Sequence, residues 1–589
     1  MTGGTGDEIA VVGLAGRFPG ATDVAALWQN LLDGVDAVHD HTDSELRSLG
    51  LSERLIADPA LVRGAGRLEG VADFDAVFFG VPAAEAALMD PQHRLFLEQA
   101  YVALADAGRE PGGPSSPDRG ADEVIGVFAG SSTSRYVLFH LLGNPAATGA
   151  QRDDREGQLL AGAAADYLPA QVAYRLGTTG PAIAVQTACS SSLVAVCTAA
   201  QSLLDYRCDL AVAGGVSVTE PRFRYSPAGL VSPDGRCRAF DAAARGSGYG
   251  SAVAVLALRR LADALDAGDT IHAVLRGWAV NNDGAARAGF AAPGLDGQAA
   301  VVAEALACAD LAADGIGYVE AHGSGTPLGD AIEVAALNRA FWPGLRDGGA
   351  APVTCLLGSI KTNLGNLDAA AGAAGLIKAV FAVRDGVIPA NLHFDTPNPE
   401  IAFGRFAVPT KTTDWPAGYG VRLAGVSSFG LGGTNAHVVV EQPPPAAARG
   451  PAPACSVLAV SGHTERALHE AVRALRAHLA SRGGDGWFLA DVAYTLAGRR
   501  AFEHRSAVVA GNVAQAVAAL ADWPPSLPGA GRRHELAVPP AVPLAEALAE
   551  AWTAGADVDW APQYAGGWHR RVWLPPHPFQ RTRHWIEAP

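Results

Sequence analysis

The chain lacks any cysteine pair at a zinc-binding spacing, and its cysteines are odd in number: seven, at 189, 197, 208, 237, 308, 355 and 455. A scattered, odd set argues against a disulfide framework and against a zinc site, and suits a reducing cytoplasm. The N-terminus, MTGGTGDEIA, has no basic stretch followed by an apolar one, so no signal peptide is expected. No charge-free apolar run reaches the ~18 residues of a membrane span, so no membrane association is expected either. Positive charge is outnumbered: 44 Lys and Arg against 60 Asp and Glu leave a net charge of −16, which argues against nucleic acid as the main partner. That balance does not identify a carrier protein as partner, which would need a local basic patch. No short sequence repeat is visible, so any internal duplication has to be one of structure alone.

What is present is a globular composition, 49% apolar and 18% charged, over 589 residues, more than one core usually serves. Strand-like apolar runs at Ile9–Leu14, Val124–Ala129, Leu210–Ala213, Ala252–Leu258, His272–Val280, Ile316–Ala321, Val421–Ser427 and Ala436–Glu441 alternate with helical stretches. Among the latter are 89–108, opened by Asp90 and Pro91, and Gln298–Leu306, Asp330–Arg339 and Asp368–Val383. Alternation in two similar halves predicts an α/β protein with an internal duplication. The chain divides into a large domain, 1–442, a Pro/Ala linker, 443–455, a small α/β domain, 456–530, and an extended arm, 531–589, ending in the aromatic- and proline-rich WLPPHPFQRTRHW. Residues 111–122 and 143–158 read as surface loops, and 523–540 as a Pro/Gly-rich segment.

One stretch organises the rest. Ala182–Val185 reads as a buried strand, a short turn follows, and Ser190–Leu204 reads as a buried helix with Cys189 at its opening. There the unpaired N–H groups and the positive end of the helix dipole favour a thiolate and lower the thiol pKa. The same N–H groups could hold the oxyanion of a thioester under attack.

Four motifs occur in order: TACSSSL at 187–193, EAHGSGTPLGD at 320–330, GSIKTNLGN at 358–366 and SSFGLGGTNAHVVVE at 427–441. With DPQHR at 90–94, CRAFDAAA at 237–244 and the ending PHPFQRTRHW, they resemble the ketosynthase domains of modular polyketide synthases. The resemblance implies a thiolase fold, five layers α-β-α-β-α from two duplicated halves, followed by a small α/β linker domain, and usually a homodimer. It implies no cofactor or metal of the protein's own; the substrate rides on the phosphopantetheine of an acyl or peptidyl carrier protein. Cys189 would be the nucleophile, with its own N–H and that of Leu431 as oxyanion hole. His322 would hydrogen-bond and transfer protons beside the thioester, and Lys361 would organise the site by hydrogen bonds. An acyltransferase, which usually stands between the small domain and the arm, is missing.

The chain departs from the family pattern at three places. The motif Lys-Thr-Asn-x-Gly-His ends here in Asn366. Histidine changes protonation near neutrality and an amide does not, so Asn366 can hold an enolate but cannot carry a proton. Ser251 stands where a glutamate is usual and Gln186 where an aspartate is common; with Phe290 and Ala291 they are candidates to line or support the pocket. The expectation is a free-standing, non-decarboxylative ketosynthase that closes a carbon–carbon bond within its Cys189-bound chain, with His322 as base, and releases a lactone. This resembles the bicyclising ketosynthases of salinosporamide-type γ-lactam-β-lactone pathways. An acyl relay without bond formation, decarboxylative elongation by Cys, His and Asn as in a cousin branch, and a non-catalytic scaffold remain as alternatives.

Overall fold

The structure, a computed structural model, describes residues 6–110, 123–148, 157, 160–227, 229–343, 355–445, 454–482, 486–521, 543–564 and 569–588. The expected loop 111–122, most of that at 143–158, most of the 443–455 linker and the 523–540 segment lie outside the described residues.

Among the described residues, ten strands form the two halves of the large domain, and an eleventh, Phe406–Ala407, pairs outside Cys355–Gly358 at the edge. The first five are β1 (Ile9–Arg17), β2 (Ile125–Ser131), β3 (Ala182–Ala184), β4 (Leu210–Ser217) and β5 (Ala252–Arg260). They lie in the order β3-β2-β4-β5-β1, parallel except where β5 runs antiparallel to β4 and β1. The second five are β6 (Ala273–Asn282), β7 (Ile316–Glu320), β8 (Cys355–Gly358), β9 (Leu423–Phe429) and β10 (Thr434–Glu441). Their order, β8-β7-β9-β10-β6, again has its fifth strand antiparallel to both neighbours. Each half thus reads 3-2-4-5-1, which is the structural duplication that no sequence repeat announces. A short pairing of Ile9–Val11 with Ala273–Leu275 joins the two sheets edge to edge.

Helices fill the space between and outside the sheets. Outside the first lie α1 (Pro91–Asp106) and α2 (Tyr167–Leu176). Between the sheets lie α3 (Ser191–Leu204) and, equivalent to it in the second half, a helix at Ala371–Asp385. Outside the second sheet lie α4 (Leu295–Cys308) and α5 (Pro327–Phe341), so the Ala371–Asp385 helix is α6. These are the five layers that the resemblance implied. The strands read as unbroken apolar runs because both faces are covered. Along β1, Ile9, Val11 and Leu14 face the central helices while Ala10, Val12 and Ala15 face α1. On α3, Leu193, Val196 and Leu203 are fully buried, each contributing about 1.5–3 kcal/mol.

One strand departs from expectation. Ala182–Val185 was expected to be buried, but β3 covers only Ala182–Ala184, and Ala182 and Ile183 are exposed. The reason is its place: it bonds to β2 on one side and forms the outer edge of the sheet on the other.

The small unit pairs Ser456–Gly462 with His504–Ala510 and packs helices Glu465–Arg482, Gly486–Ala497 and Val513–Ala521 into its own core. Residues 569–588 run back across both units without helix.

Candidate active site

The duplication brings two equivalent turns together at the middle of the molecule. In the first half a single 3₁₀ turn, Ala188–Ser190, leads into α3; in the second, Asp368–Ala370 leads into α6. Each opens with a non-glycine residue in the left-handed region, Ala188 at φ 56° and Asp368 at φ 47°. Such backbone costs of order 1–2 kcal/mol and persists where the surroundings enforce it. Here hydroxyls do so: Ser190 Oγ donates to the Thr187 carbonyl (2.8 Å), Ser191 Oγ donates to that of Ala188 (2.7 Å) and accepts from Thr187 N (2.9 Å). Across the pair, Ser192 Oγ accepts from Ala373 N at 2.9 Å.

Cys189 lies on the floor of a cavity of about 490 Å³ that is also lined by His322, Asn366, Leu431 and Ala291. Five of the positions singled out in the sequence are therefore brought together, while Lys361 is buried behind His322 and donates to its carbonyl oxygen. Phe290 is 77% exposed and does not line the cavity. Gln186 pairs its amide with the Ser131 backbone, and buried Ser251 accepts from Thr219 N at 2.9 Å; both support the wall from outside.

The glycine-rich turn after β9 completes the floor. Ser428 Oγ donates to the Cys189 carbonyl at 2.9 Å. A Cβ on Gly430 would stand 2.1 Å from the Thr187 carbonyl oxygen, so only glycine lets the turn carrying Leu431 approach the cysteine. Arg287 holds the same turn from outside, donating to Gly432 O at 3.0 Å.

His322 is fixed by its backbone and its ring. Glu333 on α5 accepts from His322 N (2.7 Å) and Gly323 N (2.8 Å), and Asp330, one turn earlier, accepts from Phe240 N and Gly325 N. The ring Nδ1 accepts from Phe429 N at 3.2 Å. Burial, then Lys361, holds His322 well below its usual range, so the ring is neutral at neutral pH. With Nδ1 an acceptor, the proton sits on Nε2, and that nitrogen is a donor. The expectation of His322 as base is corrected on this ground: the neutral ring has no free basic nitrogen.

Asn366 is equally fixed. Its Oδ1 accepts from Asp368 N at 3.1 Å, which turns the amide nitrogen toward Cys189 Sγ, 3.6 Å away. One amide hydrogen faces the sulfur and the other stays available to a bound oxygen.

A residue the motifs did not single out also stands at the sulfur. Asp368 Oδ1 lies 3.7 Å from Cys189 Sγ. Burial first, then this carboxylate, pushes the Cys189 thiol up to about 11, against smaller pulls from Asn366 and Lys361. The expected lowering by the helix dipole is therefore overturned; desolvation and a like charge win, and the resting group is a thiol. Tyr249 and Arg135 also line the cavity and were not foreseen.

The matching family models are the β-ketoacyl synthase N-terminal domain over residues 6–264, its C-terminal domain over 272–395 and the ketoacyl-synthetase C-terminal extension over 397–509. A phenolphthiocerol/phthiocerol polyketide synthase subunit of Mycobacterium tuberculosis is 47% identical over 84% of this chain and 33% of its own length. A mycoketide-CoA synthase of the same species is 42% identical over 87% of this chain and 12% of its own. The chain thus spans a third or less of these curated relatives. Among solved structures, ketosynthase twelve of the Bacillus amyloliquefaciens bacillaene synthase superposes with a TM-score of 0.85 at 32% identity, over 98% of this chain and 100% of that one. An oxazolomycin ketosynthase domain from Streptomyces albus gives 0.82 at 34%, over 98% of each chain. With its duplicated halves, its cysteine turn and these matches, the chain belongs to the β-ketoacyl synthase family, among the thiolase-fold ketosynthases of polyketide synthases.

Proposed function

We propose that the protein takes an acyl chain from the phosphopantetheine thiol of a carrier protein onto Cys189 and forms a carbon–carbon bond within that chain, without decarboxylating an extender. The observation that carries this reading is the pinned amide of Asn366: where the family pattern has a histidine, a group that only donates is held against the sulfur. Four donors would hold the thioester oxygen, namely His322 Nε2–H, the Asn366 amide and the N–H groups of Cys189 and Leu431. Donors of that kind hold an enolate or an alkoxide, and their removal typically costs ~100- to 1,000-fold each. Loading exchanges one thioester for another and releases the carrier thiol. An enolate of the bound chain then attacks a carbonyl of the same chain, aldol fashion. The resulting alkoxide attacks the Cys189 thioester, so that the product leaves as a lactone and the sulfur is freed.

The working unit is proposed to be a homodimer; the exposed apolar edge at Ile183, 40% open in the single chain, supports a second copy there. A carrier-bound polyketide or polyketide–peptide thioester mixed with the enzyme is expected to add its acyl mass to Cys189 and then to yield a cyclic product with no malonyl donor present, followed by intact-protein and product mass spectrometry. A product that requires malonyl carrier and gains two carbons overturns the reading in favour of elongation. An unchanged acyl mass passed to a second carrier overturns it in favour of relay.

A further inference from the structure

The reading above needs a base to make the enolate, and the geometry points to the carboxylate of Asp368. This inference rests on that reading and supplies the group it lacks. Of the side chains at the sulfur, His322 presents a donor nitrogen and Asn366 a donor amide. Lys361 is turned away to the His322 carbonyl. Among the described residues at the sulfur, Asp368 alone brings an acceptor able to take a proton, 3.7 Å from Sγ.

Three further observations fit a built position. Asp368 lines the cavity with Cys189. No cation among the described residues lies within ion-pair distance of it, so its charge is not spent on a structural partner. Its backbone is held left-handed, and its own N–H fixes the Asn366 amide, so the strain aims base and donor together. The duplication explains how it arrives: Asp368 is the second-half counterpart of Ala188, and the two turns face each other across the sulfur.

The chemistry balances without a co-reactant. The α-carbon of a chain on Cys189 lies two bonds from the sulfur, within the reach of a carboxylate already touching that sulfur. The α C–H bond breaks; the proton goes to Asp368, and the electron pair forms the enolate, whose oxygen the donors hold. The enolate carbon bonds to a carbonyl carbon of the chain, leaving an alkoxide. The alkoxide adds to the thioester carbon, and the C–S bond breaks. The departing Cys189 thiolate, with its high proton affinity, takes back the proton from Asp368. An aspartate base opposite neutral donors is an arrangement already known to abstract protons next to a carbonyl.

The test uses the whole protein and a propionyl thioester of N-acetylcysteamine carrying deuterium at the α-carbon. Acyl-Cys189 is isolated at intervals, and its loss of deuterium to water is read by peptide mass spectrometry, per acylated enzyme. The wild type is expected to exchange. Asp368→Asn is expected to exchange ~100- to 10,000-fold more slowly. Its Cys189 is expected to react with iodoacetamide at pH 8 as fast as wild type or faster, because the like charge is gone. Asp368→Glu should recover part of the exchange. If Asp368→Asn exchanges at the wild-type rate, Asp368 is not the base, while the enolate reading stands. If both variants lose exchange and alkylation together, the residue is structural and the inference falls. If wild type forms no acyl-Cys189, or the acyl group keeps its deuterium, the proposed function itself fails.

Discussion

On the proposed function, position 366 decides between two chemistries by one atom's ability to change protonation. An imidazole there would accept and return a proton near neutral pH; the amide, turned nitrogen-first to the sulfur by Asp368 N, only donates. Asn366→His is therefore expected to raise decarboxylation of a malonyl thioester by about 100-fold over wild type, measured as carbon dioxide release, the lower end of what one acid–base group supplies. Wild-type turnover already matching that of the variant would instead make Cys–His–Asn elongation the native activity. At this scale much of the site was legible. Cys189, His322, Lys361 and Asn366 sit in short motifs whose chemistry is local. The place of Asp368 at the sulfur was not legible, because it comes from a left-handed backbone and a partner 179 residues away, and neither leaves a mark in residue type. The thiol's direction of shift was misjudged for a related reason. A helix start can be read from the chain, whereas burial and a carboxylate from the other half cannot.

Among elements, the two facing turns and the glycine-rich turn after β9 work as one assembly. Gly430 has no room for a methyl group: the nearest atom is a backbone carbonyl that cannot rotate away, and Ser190 Oγ stands 2.8 Å from the same point. Gly430→Ala is expected to push the turn off the cysteine and to slow acylation of Cys189 about 100-fold or more, as loss of an oxyanion donor does, while the fold persists. Time-resolved intact mass of the acyl-enzyme, with circular dichroism as control, checks it; acylation at the wild-type rate would remove Leu431 N–H from the oxyanion hole. The same scale shows why some elements escaped the sequence reading. The helix Gly486–Ala497, WFLADVAYTLA, is apolar on nearly every face, so it carries no clear period. Strand β3 is apolar without being buried: its residues sit on an open sheet edge of the single chain.

Over the whole molecule, the arm adds to the direct contacts between the large domain and the small unit, such as that of Arg499 with Glu110. Gln580 N donates to Asp75 in the large domain (2.6 Å), and its amide donates to Glu470 in the small unit (2.7 Å). His577 stacks between Phe78 of one and Phe502 of the other, 4.7 and 4.9 Å between ring centres. The arm's deepest grip is Arg581, which pairs at 2.9 Å with Glu98, a carboxylate with no exposure inside α1. Burial raises the Glu98 pKa above its ordinary value even with Arg581 and Arg17 pulling it down. Removing the arginine favours the neutral acid further, so the penalty belongs to the charged form alone. Above the pKa of Glu98 in the variant, the carboxylate is buried without its nearest partner; below it, the protonated group needs none. Arg581→Ala is thus expected to cost about 2–3 kcal/mol at pH 8, somewhat less than a fully buried pair because the arginine is partly exposed, and clearly less at pH 5. The gap in apparent melting temperature between wild type and variant should narrow as pH falls. The double variant Glu98→Gln, Arg581→Ala should flatten that dependence. A gap that stays constant from pH 5 to 8 would show that the arm holds through its aromatic contacts alone and that the ion pair contributes nothing.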